Sequence, residues 1–437
     1  MKKLYIALFV TLFAAACTND LEQFPDNIAS ADSLTEYDAV LNAAYFYHHS
    51  GATPMAVMGD FRADNALMLE PPFTEFDMFT PDLTAMEDQF FGPFYTAMYK
   101  AIISANNVIE NSAVATEVGE ARFLRGLAYF KLVRVFGDVP VNLEANADTE
   151  DDSVLRRQPA EEVYNNVIIP DFEAAAAALD NSNVGGRASK IAAEGMLGKV
   201  LMQMRNYGRA ETVLAGVLAD AEGAGVMLVE NYGEIFGTEN DLNSEVIYAT
   251  QFSGAVTDEY GFSEFGSWYG GLDTKSLMPL DPDLVAAFDA SPDDLRRAVN
   301  IDTALMASPK YPQAGVDDHD WIELRLADVI LLLAEARNEN GADAAGVLDL
   351  LDPIRMRAGL DPLDENDFGS QAEVAAAIQD ERRLELAFEG QRWFDLVRTG
   401  TVSEEMGQDI DPNYFIFPIP VSEVLASFNV IEQNPGY

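Results

Sequence analysis

The sequence predicts an all-α protein built of four tetratricopeptide-like helical hairpins and interrupted by a long irregular insertion. Three observations carry that expectation. Apolar residues recur at helical spacing over 36–47, 86–111, 117–136, 160–179, 188–204 and 207–221, and again over 322–338, 344–356 and 371–388. Short polar or glycine-bearing breaks separate most of these segments, as in "SNVGGRAS" from Ser182, and short breaks favour antiparallel neighbours. The stretch 122–136 is apolar around most of its circumference, with Phe123, Leu124, Leu127, Phe130, Leu132, Val133 and Phe136 spread about the axis, so it must be covered on more than one side.

Taken in order, the segments pair as 86–111 with 117–136, 160–179 with 188–204, 207–221 with 322–338, and 344–356 with 371–388. A repeat of ~34 residues is the tetratricopeptide spacing, and it is only loosely visible because the connections vary and the third pair is split. Two irregular excursions stand outside the pairs, near 48–94 and 231–320. From 231 to 311 glycine, serine and aromatic residues rise and helical spacing lapses, as in "YGFSEFGSWYGGLD" from Tyr260. Loops of that length are uncommon in a compact fold unless they bind something.

The chain has one cysteine in 437 residues, so no intramolecular disulfide closes and no thiolate zinc cage forms. Cys17 follows Lys2 and Lys3, an apolar run from Leu4 to Phe13, and Ala14, Ala15 and Ala16. This is an export signal over 1–16 of the kind that ends on a lipid-modified cysteine, although Ala14 stands where leucine is usual. Two or three acyl chains at Cys17 hold a protein on a bilayer durably, at ~0.8 kcal/mol per buried methylene. No later segment has the ~18 consecutive apolar residues of a membrane span. Residues 17–437 read as a single domain.

Acidic residues number 73 against 27 Lys plus Arg, a formal net charge of -46, which repels phosphates and excludes nucleic acid as a partner. No G-x-S-x-G, H-E-x-x-H or P-loop pattern is present. A glycoside hydrolase needs two carboxylates ~5 to 9.5 Å apart, and among 73 acidic residues such a pair carries no signal. His48 and His49 are adjacent and point apart on a helix, and His319 in "DDHDW" reads as part of a solvated acidic turn. No metal ligand, cofactor or catalytic residue is assigned.

Several long motifs then stand together. "EARFLRGLAYFKLVRVFGDVPV" from Glu120, "RLADVILLLAEARNENG" from Arg325, "IRMRAGL" from Ile354, "IQDERRLELAFEGQRWFDLVRTG" from Ile378, "FIFPIPVSEV" and the closing "QNPGY" resemble the SusD/RagB family of outer-membrane nutrient-binding lipoproteins. "GRASKIAAEGMLGKVLMQMRNYGRA" from Gly186 is a weaker echo. The resemblance implies a helical scaffold whose variable region builds the ligand surface, and a function in capturing oligosaccharide, or in some relatives peptide, without catalysis. It implies a partner too, a SusC-like TonB-dependent barrel, and it places the lipid of Cys17 in the outer leaflet of an outer membrane, at the cell surface.

The motifs themselves read as structural. Glu381, Glu385 and Glu389 fall at i, i+4 and i+8 on one helix face and repel one another unless cations answer them. Arg122, Arg125, Arg355, Arg357, Arg382 and Arg392 are the available guanidiniums, whose forks suit carboxylates, and the expectation is a buried ion network tying the first hairpin to the last. Trp393 and Phe394 read as core aromatics. A sugar site wants aromatic platforms and planar hydrogen-bonding groups. Two stretches outside the helices offer both: Asp60, Arg62, Asp64 and Asn65 in "MGDFRADNALM", and Tyr260, Trp268 and Tyr269 in the insertion. These seven are the expected ligand-binding residues.

Overall fold

A computed structural model describes residues 36–147, 152–255, 263–271, 277–312 and 318–437. Cys17, the leader before it and Tyr260 lie outside the described residues. Eight helices in chain order make the frame: α1 Asp38–His48, α2 Gly92–Asn111, α3 Ala115–Phe136, α4 Ile169–Ala178, α5 Lys190–Gln203, α6 Tyr207–Asp220, α7 Leu326–Glu339 and α8 Gln371–Glu385. Each packs on the next, so the pairs run into one continuous stack. The chain from Asp38 to Tyr437 is one compact unit. Among the described residues no helix is long and apolar enough to cross a membrane.

The all-round apolar helix sits where its composition demands. In α3, Phe136 meets Phe94 of α2 at 6.0 Å between ring centres, while Phe123 meets Phe172 of α4 at 5.6 Å. Each fully buried phenylalanine contributes roughly 1.5–3 kcal/mol through the water it sheds. Between α5 and α6 the contact is closer still. A Cβ on Gly198 would lie 2.3 Å from Leu214 Cδ2, so only glycine lets the two helices approach this far.

Prolines and buried strands account for the departures from the expected helices. The segment 160–179 is not one helix: Ala160–Val163 widens into a π-type turn over Tyr164–Ile168 before α4 begins, with Pro170 in the first turn of α4. Proline has no N–H to donate, and a widened turn ahead of it absorbs the change in hydrogen-bond register. The segment 344–356 likewise divides into Ala344–Leu348 and Asp352–Arg357, with Pro353 opening the second piece.

The helix expected from residue 322 starts later. Trp321–Arg325 is instead a buried strand pairing antiparallel with Val246–Thr250, Thr250 opposite Trp321. A strand covered on both faces shows no alternation, and by period alone it merges with the apolar helix that follows it. We call these strands β3 and β4; β1 Val139–Pro140 and β2 Arg157–Gln158 make a second small antiparallel pair. The fold is thus helical with two short two-stranded ribbons among the described residues.

The two excursions come together rather than standing apart. Ala66 bridges Leu280, the Leu67 N–H donates to Pro279 O at 2.7 Å, and the Asp281 N–H donates to Asn65 O at 3.2 Å. Their aromatics interleave as well, with Phe61 stacked on Tyr269 at 5.6 Å.

Candidate functional site

The three glutamates do not share one helix face as expected: α8 ends at Glu385, and Glu389 follows in a turn in which Phe388 has a φ of 64°, but all three lie inside the protein as one acidic ladder met by cations on every rung. Glu381 accepts from Arg296 at 2.6 Å and Arg355 at 2.8 Å. Glu385 accepts from Arg325 at 2.6 Å, Arg296 at 3.1 Å and Arg357. Glu389 accepts from Arg325 and Lys310, each at 2.7 Å. Glu245, one residue before β3, completes the group through Arg325 at 2.7 Å. Burial alone would raise the Glu385 carboxyl, but Arg357, Arg325 and Arg296 overcome it and hold that carboxyl down at about 2.

The expected single network divides into clusters. Arg122 and Arg125 do not reach the α8 ladder: both pair with Asp171 of α4, Arg125 through two nitrogens at 2.7 and 2.8 Å, and so join the first hairpin to the second. Arg382 bridges Asp328 of α7 at 2.5 Å and Asp395 at 2.7 Å, and Lys199 of α5 shares Asp328 at 2.8 Å. Arg392, which opens a further helix, α9 Arg392–Thr399, pairs with Asp64 and Glu405 instead. The cations that complete the ladder, Arg296, Arg325 and Lys310, were not among those expected. Arg325 stands between Glu323 and Asp328 at the head of an apolar run; Arg296 and Lys310 sit in the irregular excursion, where no periodicity marks them.

The six described residues expected at a ligand surface are all interior. Asp60 is fully buried and accepts from Tyr269 Oη at 2.6 Å, the Gly390 N–H at 2.7 Å and Asn65 Nδ2 at 2.9 Å, while burial pushes its carboxyl up to about 6. Asp64 takes both Arg392 nitrogens at 2.7 Å. The Arg62 guanidinium lies in an aromatic cage, 4.1 Å from the Phe79 ring centre and 5.1 Å from that of Phe76. Trp268 is 1% exposed, edge-on to Phe73 and Phe90, and Tyr269 is fully buried. This cluster pins the two excursions together and presents no ring face to a sugar.

A solvent-open cleft of about 160 Å³ does offer such faces, where α1, the turn before α5 and the end of β3 converge. Asn42, Tyr45, Phe46 and His49 fall at i, i+3, i+4 and i+7, so one face of α1 and the turn after it supplies them all. Phe46 is 50% exposed; its ring centre lies 5.1 Å from His49, which in turn lies 4.7 Å from Phe252, just past β3. These three rings form a shelf. The cleft beside them is lined by His49 and Tyr45 and by planar polar groups, Asn42, Arg187 and the exposed Gln251.

Internal bonds hold the polar side in place. Glu120 of α3 accepts from Tyr45 Oη at 2.5 Å and Arg187 Nε at 2.7 Å, and Arg187 Nη1 donates to Asn42 Oδ1 at 3.0 Å. The guanidinium also lies 4.5 Å from the Tyr45 ring centre. Arg187 and Glu120 cancel each other's charge, so the cleft is locally neutral in a strongly acidic protein. Beneath it Thr250 Oγ1 donates to Glu323 at 2.9 Å, and Lys131 is paired with the same carboxylate. The sequence signal for this site was the aromatic "YFYHH" run at the end of α1, whose outward face shows only once its neighbours are placed.

Two family models match the chain: one described as the SusD family over residues 296–416, the other as starch-binding, associating with outer membrane, over residues 18–202. The chain belongs to the SusD/RagB family. The SusD-like protein P2 of Formosa agariphila is 24% identical over the full length of both chains. Among solved structures, a SusD superfamily protein from Parabacteroides distasonis superposes with a TM-score of 0.75 at 22% identity, covering 94% of this chain and all of its own. A laminarin-binding SusD-like protein does so with a TM-score of 0.74 at 25% identity, covering 92% of this chain and 99% of its own. The first SusD/RagB segment contains the α8 ladder with Arg296, Arg325, Arg355 and Arg357; the second contains α1, Glu120 and Arg187, and so most of the cleft's polar side.

Proposed function

We propose that this protein is a cell-surface glycan-binding lipoprotein, anchored in the outer membrane through Cys17, which captures neutral oligosaccharide and passes it to a SusC-like TonB-dependent transporter. The observation that carries the ligand class is the cleft of α1 and β3, lined by the rings of Tyr45 and His49 and by Asn42, Arg187 and Gln251, with Phe46 and Phe252 packed on His49. Sugar C–H faces stack on such rings while hydroxyls bond the planar groups. None of the residues lining the cleft is Asp or Glu, which favours capture over hydrolysis because glycoside cleavage works through two carboxylates. The family description as starch-binding and outer-membrane-associated, and the laminarin ligand of one structural relative, support the same reading. The anchor and the transporter rest on the leader sequence and on the family resemblance.

Affinity electrophoresis through gels carrying neutral glucans, fructans, mannans or xylans tests it. At least one polymer slows the wild-type protein, and Phe252→Ala loses that retardation while melting at the same temperature. If no glycan slows the protein and an oligopeptide mixture raises its melting temperature, it is a peptide binder. Release of reducing ends by the purified chain would make it an enzyme.

A further inference from the structure

The aromatic shelf depends on a loop that no ladder holds. Pairing of β3 with β4 ends at Thr250 and Trp321, and beyond that point the two strands part into the long excursion. Past the last pair, two carboxylates take over the acceptor role that backbone carbonyls would have in a continued ladder. Asp320 Oδ1 accepts from the Phe252 N–H at 2.8 Å, and Asp318 Oδ1 accepts from the Gly254 N–H. The donating amides alternate along the loop, as do the two accepting aspartates, so the contacts repeat with the period of an extended strand.

The clasp is itself anchored. His319, between the two aspartates, bonds through Nε2 to Pro312 O at 2.7 Å and packs against Tyr311 at 5.7 Å. Asp320 is 8% exposed, so its bond to Phe252 forms away from water, and its Oδ2 has no protein partner. Burial, with Asp241 nearby, pushes the Asp320 carboxyl up to about 7, so the bond that holds the Phe252 amide is that of a partly neutral acceptor and has the strength of an ordinary buried hydrogen bond. The ring of Phe252 is thereby set against His49 on one side and Phe265, 6.3 Å away, on the other.

We propose that Asp320 is a positioning residue for ligand capture: by holding the Phe252 amide it sets the height and tilt of the shelf on which a sugar ring stacks. This rests on the cleft being the glycan site. Asp320 touches no ligand and acts through Phe252 alone.

The test uses the full mature chain and whichever neutral glycan slows it. Asp320→Ala weakens binding about fivefold, the worth of one ordinary hydrogen bond of ~1 kcal/mol. Asp320→Asn, whose amide oxygen still accepts from Phe252, stays within about threefold of wild type by the same measure. On the Phe252→Ala background, Asp320→Ala adds less than about twofold, because residues acting through one contact are not additive. Wild-type affinity in a folded Asp320→Ala protein, or an undiminished loss on the Phe252→Ala background, overturns the inference. If no glycan binds the wild type, it is the glycan reading that fails, and amide exchange at Phe252 still reads the clasp: faster in Asp320→Ala than in Asp320→Asn supports it, and equal rates overturn it.

Discussion

Arg325→Met removes the central cation of the α8 ladder and measures how dry that ladder is. Arg325 is 1% exposed and donates to Glu245, Glu385 and Glu389 through bonds of 2.6 to 2.9 Å. Methionine keeps the length of the side chain and loses the charge. The three carboxylates keep other cations, Arg357 for Glu245, Arg296 and Arg357 for Glu385, and Lys310 for Glu389, so the site is weakened without being emptied. Breaking a buried pair from one side costs ~3–5 kcal/mol. The pull on Glu385 gives a similar size, since a carboxyl held at about 2 instead of 4.5 reflects ~3 kcal/mol of preference for its charged form. With unfolding entropy of ~2.1 cal/mol/K per residue over roughly 400 residues, ~4 kcal/mol lowers the melting temperature by ~5 °C. Scanning calorimetry reads this directly. The pH dependence gives a second reading. Because the folded Glu385 carboxyl lies below its unfolded value, its contribution is full above ~4.5 and is lost as pH falls toward 2. In Arg325→Met the carboxylates are less depressed, so the folded variant takes up protons sooner and its deficit narrows below pH ~5. A drop under ~1 °C at neutral pH, against the ~5 °C expected, or a deficit that widens in acid, would refute a water-excluded network.

Trp268→Ala opens a cavity among Phe61, Phe73 and Phe90 and costs ~3–5 kcal/mol in a urea titration, yet leaves glycan retardation unchanged below the melting transition; loss of retardation without loss of stability would return Trp268 to the binding surface. Asp60 has the opposite sign to Glu385. Its folded carboxyl, pushed up to about 6 by burial, makes the native state more stable as pH falls from ~6 toward ~4, and Asp60→Asn abolishes that gain in pH-resolved chemical denaturation. A gain that survives the substitution would assign it to another carboxyl.

The helical stack was legible because its helices are amphipathic or wholly apolar and their breaks are short. What periodicity could not supply was the effect of a neighbour. "WIELR" at 321–325 runs straight into the apolar stretch of α7, and only the partner strand "VIYAT" at 246–250 makes it a strand. The excursion polar residues misled for the same reason: Asp60 in the π-type turn Val57–Phe61, and Arg62, Asp64 and Asn65 just after it, lie outside the scaffold helices, where polar side chains are usually solvated, but Gly390, Arg383 and Arg392 from the far end of the chain close over them. The glutamate spacing in α8 announced a need for cations and could not say which. Arg296 and Lys310 lack any pattern, and Arg122 and Arg125 found a nearer acid in Asp171. In the cleft, the helical spacing of Asn42, Tyr45, Phe46 and His49 was present in the sequence, but that face borders a cleft only once Arg187 bonds Asn42 and Phe252 packs on His49.

The cleft's neutrality sets the proposed ligand apart from what the surface repels. With a net charge of -46, the surface as a whole disfavours anions at long range, and salt at ~0.15 M screens that field beyond ~8 Å. Among the described residues lining the cleft the one cation, the half-buried Arg187, is matched by Glu120 at 2.7 Å, so a neutral ring stacking there meets no net field. Its binding rests on contact area and short hydrogen bonds, which salt barely touches. A neutral glycan should therefore slow the protein equally, within about twofold, at ~0.05 and ~0.5 M salt, whereas an anionic polymer of the same backbone gains retardation as salt rises, because only its approach is opposed by screened charge. Retardation by a neutral glycan that collapses in high salt would mean that the ligand is read by ion pairing, and that the rings of α1 and Phe252 are not its platform.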